Sequence, residues 1–423
     1  MRGIGGAHVN VWSTAGTTSG RRSGARRTGA AALMASLLMV AVTACGGGDT
    51  TDAKGEGTGG GAATAAPAAK QSDAVLTISP EDGAKDVKTS GALKVFVEKG
   101  KLTKVEVKDD EGNAVAGDIS ADGAAWIPAT HLAAGAEYTV HAEAKDAGDR
   151  VAVKDTGFTT LTPANTFIGH YSPEDGSTVG VGMPFSVRFT RGITDPGAVE
   201  KAIEIKTDPP VEVEGHWFGN DRLDFRPEEY WKAGTKVTVK LNLDGVEGRP
   251  GVYGSQAKTV KFEIGRRQVS TVDAKKLTMK VERDGEVVKT IPVTTGAPGS
   301  ATWNGKMVIS ERYEVTRMNG DTVGYEGEYD IEDVPHAMRL TDSGTFIHGN
   351  YWGGDAFGNY NASHGCVGLR DTRGGWDKKA PGAWFFDNSL IGDVVEVKNS
   401  ADAVVAPGNG LNGWNMSWEE WKK

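Results

Sequence analysis

The sequence predicts a mainly β chain: two β-sandwich units in tandem, a larger β-rich domain after them, and a short helical extension at the end. Three observations predict it. Glycine supplies 59 of 423 residues, about twice its usual share. Alternating runs such as Leu93-Lys-Val-Phe-Val and Lys236-Val-Thr-Val-Lys-Leu stop at Gly, Pro or Asp turns, the period-two signature of half-buried strands. Long amphipathic helices alternating with strands are missing from the pattern, which argues against a TIM barrel or a doubly wound sheet.

The N-terminal stretch, residues 1–44, has the shape of an export signal. Arg21, Arg22, Arg26 and Arg27 precede an apolar run from Ala30 to Val42, which is shorter than the roughly 20 residues of a membrane span and ends at small residues before Cys45. It resembles a bacterial lipoprotein signal. That resemblance implies cleavage before Cys45, its lipidation, and an extracytoplasmic protein anchored to the outer face of the cell membrane, within the cell wall. Residues 1–44 hold five Arg and no acid, so removing them takes the formal charge from -9 to -14. Such an acidic balance argues against nucleic acid as a partner. Residues 45–73 are Gly, Ala, Thr and scattered charge, a flexible tether of about 30 Å mean span.

Residues 74–162 and 163–265 read as a repeat. Ile78-Ser79-Pro80-Glu81-Asp82-Gly83 is matched by Tyr171-Ser172-Pro173-Glu174-Asp175-Gly176, and Leu132-Ala-Ala-Gly-Ala-Glu-Tyr-Thr-Val by Trp231-Lys-Ala-Gly-Thr-Lys-Val-Thr-Val. About 90 residues per unit with frequent turns fits a sandwich of short antiparallel strands. The units resemble immunoglobulin-like domains and lack a Cys pair, so they serve best as a stalk.

From Arg266 the pattern changes. Lys276 to Val293 reads as two strands joined at Asp284-Gly285, the strongest hairpin signal of the chain. A glycine-rich loop follows from Val293 to Gly305, with strands predicted around Lys306 to Ser310 and Thr345 to His348. This domain spans 266–398. In 399–423, Trp414, Trp418 and Trp421 are spaced for one face of a short helix that packs back on the domain.

Chemistry concentrates between Phe346 and Arg370. With Cys45 lipidated, Cys366 has no disulfide partner, and an unpaired thiol outside the cytoplasm marks a reactive one. A neutral thiol is a poor nucleophile near pH 7, so Cys366 needs an imidazole base and donors for an oxyanion. His348 and His364 are both near in sequence. His348 ends a predicted strand and is assigned the base; His364, in a loop, a positioning role. Gly365 permits a tight bend, and the Gly365 and Cys366 amides are candidate oxyanion donors. A zinc site from His348, His364 and Cys366 lacks a second ligand cluster, so neither metal nor cofactor is expected.

His348 followed by Ser363-His364-Gly365-Cys366, together with the strand Gly344 to His348, Trp352 and the Gly413-Trp414-Asn415 and Trp418 segment, resembles the L,D-transpeptidase (YkuD-type) catalytic domain of long exported actinobacterial proteins. The resemblance implies an acyltransferase that acts on peptidoglycan stem peptides. Cys366 would attack a tetrapeptide donor, release D-Ala, and pass the acyl group from a thioester to the amine of a second stem, making a 3→3 cross-link. Carbapenems and other β-lactams would acylate the same thiol. The base imidazole would be held by the Gly349 carbonyl, and Ser363, Trp352, Phe346 and Arg370 would contact substrate. Met318, Tyr325 and Tyr329 would line the site under a lid from about Met318 to Pro335. Gly368 departs from the family, where Asn or Arg is common. An L,D-carboxypeptidase using the same cysteine, or a non-catalytic wall-binding lipoprotein, remains as an alternative.

Overall fold

The computed structural model describes residues 70–324 and 326–423. The signal, Cys45, Tyr325 and all but the last residues of the tether lie outside them. No helix among the described residues is long and apolar enough to cross a membrane.

The architecture is mainly β throughout. In the first sandwich one sheet runs Val75–Ser79, Lys94–Glu98, Ala125–Pro128, Gly117–Ile119, and the facing sheet Ala84–Val87, Val151–Thr160, Glu137–Lys145, Lys101–Asp109. Alternate residues point inward, as in Val75–Ser79 where Leu76 and Ile78 are buried, and meet Val95, Trp126, Val140 and Phe158 in one core. The second sandwich pairs Gly169–Ser172, Phe185–Phe189, Arg222–Arg226 and Glu214–Phe218 with Thr178–Val179, Ala257–Ile264, Lys236–Asn242 and Ile203–Asp208. Its core holds Phe185, Val187, Leu223, Val239 and Phe262.

The sequence repeat is a repeated turn. Asp82 Oδ1 accepts the Gly157 amide at 2.7 Å and the Gly83 amide returns to Gly157 O at 2.7 Å. Asp175 and Gly176 do the same with Lys261, also at 2.7 Å. Gly83 and Gly176 both sit at φ +76°, where a side chain is strained.

The third domain is built on one nine-stranded sheet. Its order is Gly305–Val308, Val394–Lys398, Gln268–Asp273, Thr278–Arg283, Glu286–Thr294, Val367–Arg370, Phe346–Asn350, Asp330–Arg339, Glu311–Asn319. The Asp284-Gly285 turn has positive φ at both residues, 50° and 92°, as a two-residue hairpin requires. Val281, Val293, Ile347, Val367, Leu369 and Phe385 fill the core on one face. The helix Pro381–Asp387 starts on a proline at its first position, where the missing N–H costs nothing.

The domains touch through backbone as well as side chains. Thr89 Oγ1 donates to Gly245 O at 2.7 Å between the two sandwiches. The Gly180 and Gly182 amides donate to Ile391 O and Gly392 O at 2.7 and 2.8 Å, joining the second sandwich to the third domain. A Cβ on Gly180 would lie 2.3 Å from Asp393 N, so this approach depends on glycine.

The C-terminal segment departs from the expected single helix. Trp414 lies in a 3₁₀ turn, Gly413–Asn415, and only Trp418–Trp421 is α-helical, opened by a capping box from Ser417 and Glu420. The segment does hold the third domain, with the Lys306 amide donating to Asn415 Oδ1 at 2.9 Å and the Val308 amide to Asn412 Oδ1 at 2.9 Å. Its tryptophans, however, face the second sandwich. Trp414 Nε1 donates to Gly182 O at 2.7 Å and Trp421 Nε1 to Glu214 O at 2.9 Å. Covered by this segment, the Arg222–Arg226 strand is buried at every residue.

Candidate active site

Two adjacent parallel strands position the chemistry. Phe346–Asn350 pairs with Val367–Arg370 so that Ile347 faces Val367 and His348 faces Gly368. Ile347, Val367 and Leu369 point into the core. Because side chains alternate, His348 and Cys366 emerge on the opposite face, together and diagonally offset by one pleat. Gly368 lies opposite His348 in register, two residues after Cys366. A Cβ there would come within 2.9 Å of Thr294 Cγ2 and 3.3 Å of Asn350 Nδ2, so any side chain at this position requires these neighbours to shift.

The glycine-rich loop after Val293 cradles the nucleophile's loop. Thr295 bonds Asn361 Oδ1 through its amide at 2.9 Å and its hydroxyl at 2.7 Å, and its carbonyl accepts the Ala362 and Ser363 amides, both at 3.0 Å. Ser363 is spent inside this turn: its hydroxyl donates to Cys366 O at 2.6 Å and accepts the Gly365 amide at 3.2 Å. Both the Ser363 hydroxyl and the Gly365 N–H, expected at substrate and oxyanion, are engaged within this turn. Gly365 itself has φ +114°, a conformation that a side chain would strain.

Cys366 is half-buried and packs against the apolar cluster of Val334, Ala337 and Phe346, on which Met318 and Ile331 also pack. The Phe346 amide donates to Sγ at 3.4 Å, and the thiol lies 3.8 Å from Gly344 O. Burial pushes the thiol up to about 11, with the Phe346 amide and the Arg339 charge opposing it. The resting group is therefore a neutral thiol that needs a base.

His348 is buried, and burial lowers its pKa, which keeps the imidazole neutral. Nδ1 lies 2.7 Å from Gly349 O, to which it can only donate, so the lone pair is on Nε2. The ring stacks on Trp352 at 5.7 Å and 18°. A neutral imidazole with a fixed tautomer, on the face that carries the thiol, is suited to accept the thiol proton.

The hairpin of Glu311–Asn319 and Asp330–Arg339 leans over the thiol. Met318 and Ile331 touch its apolar nest, and Val323, at the hairpin tip, closes on Gly344, where a Cβ would lie 2.3 Å from Val323 Cγ1. His364 points at this hairpin: its Nε2 meets Glu328 Oε2 at 3.0 Å and its ring lies 5.0 Å from that of Tyr329. Phe346 packs beside the thiol under the Arg339 guanidinium, 4.6 Å from its ring centroid. Arg370 is exposed on the same face, its guanidinium 4.9 Å from the Phe357 ring. Among the described residues no group of three or more His, Cys, Asp or Glu is arranged to hold a metal ion.

Two contributors went unread in the sequence, Thr295 and Arg339, as did a buried pair of His336 and Asp371, 2.7 Å apart. His336 lies inside a strand at φ +51° after Pro335.

A family profile described as the L,D-transpeptidase catalytic domain matches residues 267–397, and one described as a bacterial Ig domain matches 84–247. L,D-transpeptidase 2 of Mycobacterium tuberculosis (strain CDC 1551 / Oshkosh) is 35% identical over 350 residues, covering 82% of this chain and 84% of that protein. L,D-transpeptidase 5 of M. tuberculosis (strain ATCC 25618 / H37Rv) is 30% identical over 353 residues, covering 82% and 76%. A solved structure of the L,D-transpeptidase LdtMt1 in complex with imipenem is 30% identical, covering 54% of this chain and 97% of that one at a TM-score of 0.45, too low to add to the fold described above. The chain belongs to the L,D-transpeptidase family. It is an acyltransferase with an Ig-like arm and a YkuD-type catalytic domain.

Proposed function

We propose that this transpeptidase forms 3→3 cross-links between peptidoglycan stem peptides through a thioester on Cys366. The observation that carries the reading is the shared sheet face of Cys366 and His348, with Nδ1 of the imidazole locked to Gly349 O. As Sγ attacks the carbonyl that precedes the terminal D-Ala of a tetrapeptide, its proton passes to Nε2. The tetrahedral oxyanion takes a hydrogen bond from the Cys366 amide; the C–N bond then breaks, and the Nε2 proton leaves with the D-Ala amine. The amine of a second stem repeats the attack on the thioester and regenerates the thiol.

The same thiol opens a β-lactam, whose strained carbonyl stands in for the acyl donor. The hairpin with Met318 and Tyr329 closes over the bound stems, and Trp352 borders the base. Export, with anchoring through a lipidated Cys45, completes the reading, the sandwiches holding the site out toward the wall.

Purified protein incubated with a disaccharide-tetrapeptide, with products read by mass spectrometry, tests this. Dimers linked 3→3 support transfer; tripeptide alone identifies a carboxypeptidase. A Cys366→Ala protein that still makes dimers removes the nucleophile from the reading, and one that fully restores a deletion strain points to a wall-binding role without catalysis.

A further inference from the structure

Behind the base lies a second ionisable pair. Asp371 follows the Val367–Arg370 strand, and its buried carboxylate turns to the sheet face opposite His348. Oδ2 accepts His336 Nδ1 at 2.7 Å and Oδ1 accepts the Thr372 amide at 2.7 Å. The same Oδ2 is wedged between two glycines: a Cβ on Gly349 would lie 2.3 Å from it and one on Gly382 2.2 Å. Gly349 is the residue whose carbonyl holds the catalytic imidazole.

His336 faces this carboxylate from within the Asp330–Arg339 strand. Its φ is +51°, an unfavourable conformation for a side-chain-bearing residue, and the ring packs against Gly375 and, at 5.1 Å, Phe386. Both members are buried, with side-chain exposures of 3% and 0%. A buried polar pair is weak as a stabilising device, since apolar residues of similar volume commonly do as well or better. Its location is what distinguishes it: it presses on the peptide that orients the base.

We propose that Asp371, held by His336, is a positioning residue of the catalytic step: it clamps the Gly349 peptide and sets a fixed negative charge behind the imidazole as that ring takes the thiol proton. The inference rests on His348 being the base. Charge balance fits. A neutral thiol and imidazole become thiolate and imidazolium, and a carboxylate near the imidazolium, not hydrogen-bonded to it, favours that state without competing for the proton. Burial lowers the His348 pKa, while the Gly349 carbonyl and, after it, the Asp371 charge hold it up.

The test uses full-length protein, Asp371→Asn and His336→Asn, the latter because Asn tolerates positive φ. Three readouts are taken: the rate and half-saturation of imipenem acylation, the His348 ring titration by ¹⁵N NMR, and the melting curve. In folded variants the acylation rate should fall on the order of tenfold with half-saturation unchanged, and His348 should titrate lower than in wild type, more so in Asp371→Asn. Folded variants that acylate at the wild-type rate overturn the proposal; so does a slow variant whose His348 titration is unmoved. If Asp371→Asn fails to fold, His336→Asn carries the test. Wild-type protein that is never acylated at Cys366 fails the reading of the site instead, and the NMR titration still decides the coupling.

Discussion

Glu328 Oε2 meets His364 Nε2 at 3.0 Å, tying the hairpin above the thiol to the residue two before the nucleophile. Both side chains are about half exposed, so the pair is a latch of modest strength, worth at most about 1 kcal/mol. Glu328→Gln should leave the melting temperature nearly unchanged and raise the KM for tetrapeptide by up to about fivefold, the equivalent of that energy. A large loss of kcat instead would mean that His364 acts on the reacting atoms and not through the hairpin.

The resting site is neutral on both partners, and this sets its pH behaviour. The His348 pKa is lowered by burial, so its neutral form contributes stability above the ordinary histidine value of about 6.5 that is lost as pH falls. The Cys366 thiol is raised from 9.0 to about 11, so its neutral form contributes stability that is complete below 9.0 and lost as pH rises through about 11. Acylation by imipenem should therefore hold steady from about pH 7 to 9 and fall only on the acid side of the ordinary histidine pKa. A rate that climbs tenfold per pH unit across that range would show that a pre-formed thiolate, not the neutral pair, is the reacting species.

Much of the site is local and was legible. Asp284-Gly285 could only be a two-residue turn, because both residues must adopt positive φ. The Ser363 to Cys366 run, with His348 on a strand, is a short-range pattern that the sheet places on one face. What escaped notice is non-local. Asp371 and His336 are 35 positions apart and meet only in the folded chain. The Trp414 to Trp421 spacing suggested one helix, yet Gly413 and Asn415 form a turn and the helix begins anew at Ser417. Periodicity reports which residues want burial, not which domain buries them.

Gly368 carries a prediction about specificity. It lies opposite His348, and a Cβ would crowd Thr294 Cγ2 at 2.9 Å and Asn350 Nδ2 at 3.3 Å. Gly368→Asn should cost about 1–3 kcal/mol by overpacking and slow imipenem acylation, as Thr294 and Asn350 are pushed against the loop that holds Cys366. Differential scanning calorimetry and acylation kinetics on one preparation check it; a variant of wild-type stability would mean that the neighbours give way freely.

Arg226 ties the second sandwich to the C-terminal segment, and with it to the catalytic domain. Its guanidinium lies 4.7 Å from the Trp414 ring and 4.4 Å from that of Trp421, donating to Pro227 O, Glu228 O and Met416 O at 3.0 to 3.2 Å. Burial lowers its pKa to about 10, which still leaves it charged at neutral pH. Arg226→Leu keeps some apolar contact but leaves three carbonyls without this donor, at a cost of about 3 kcal/mol. The catalytic sheet does not depend on this residue, so acylation of Cys366 at low temperature should survive. The earliest change should be cleavage of the 411–423 segment under limited proteolysis, ahead of any loss of activity. Loss of activity and segment together would show that the sandwich holds the catalytic sheet in its active form, making the arm a part of the enzyme and not only its stalk.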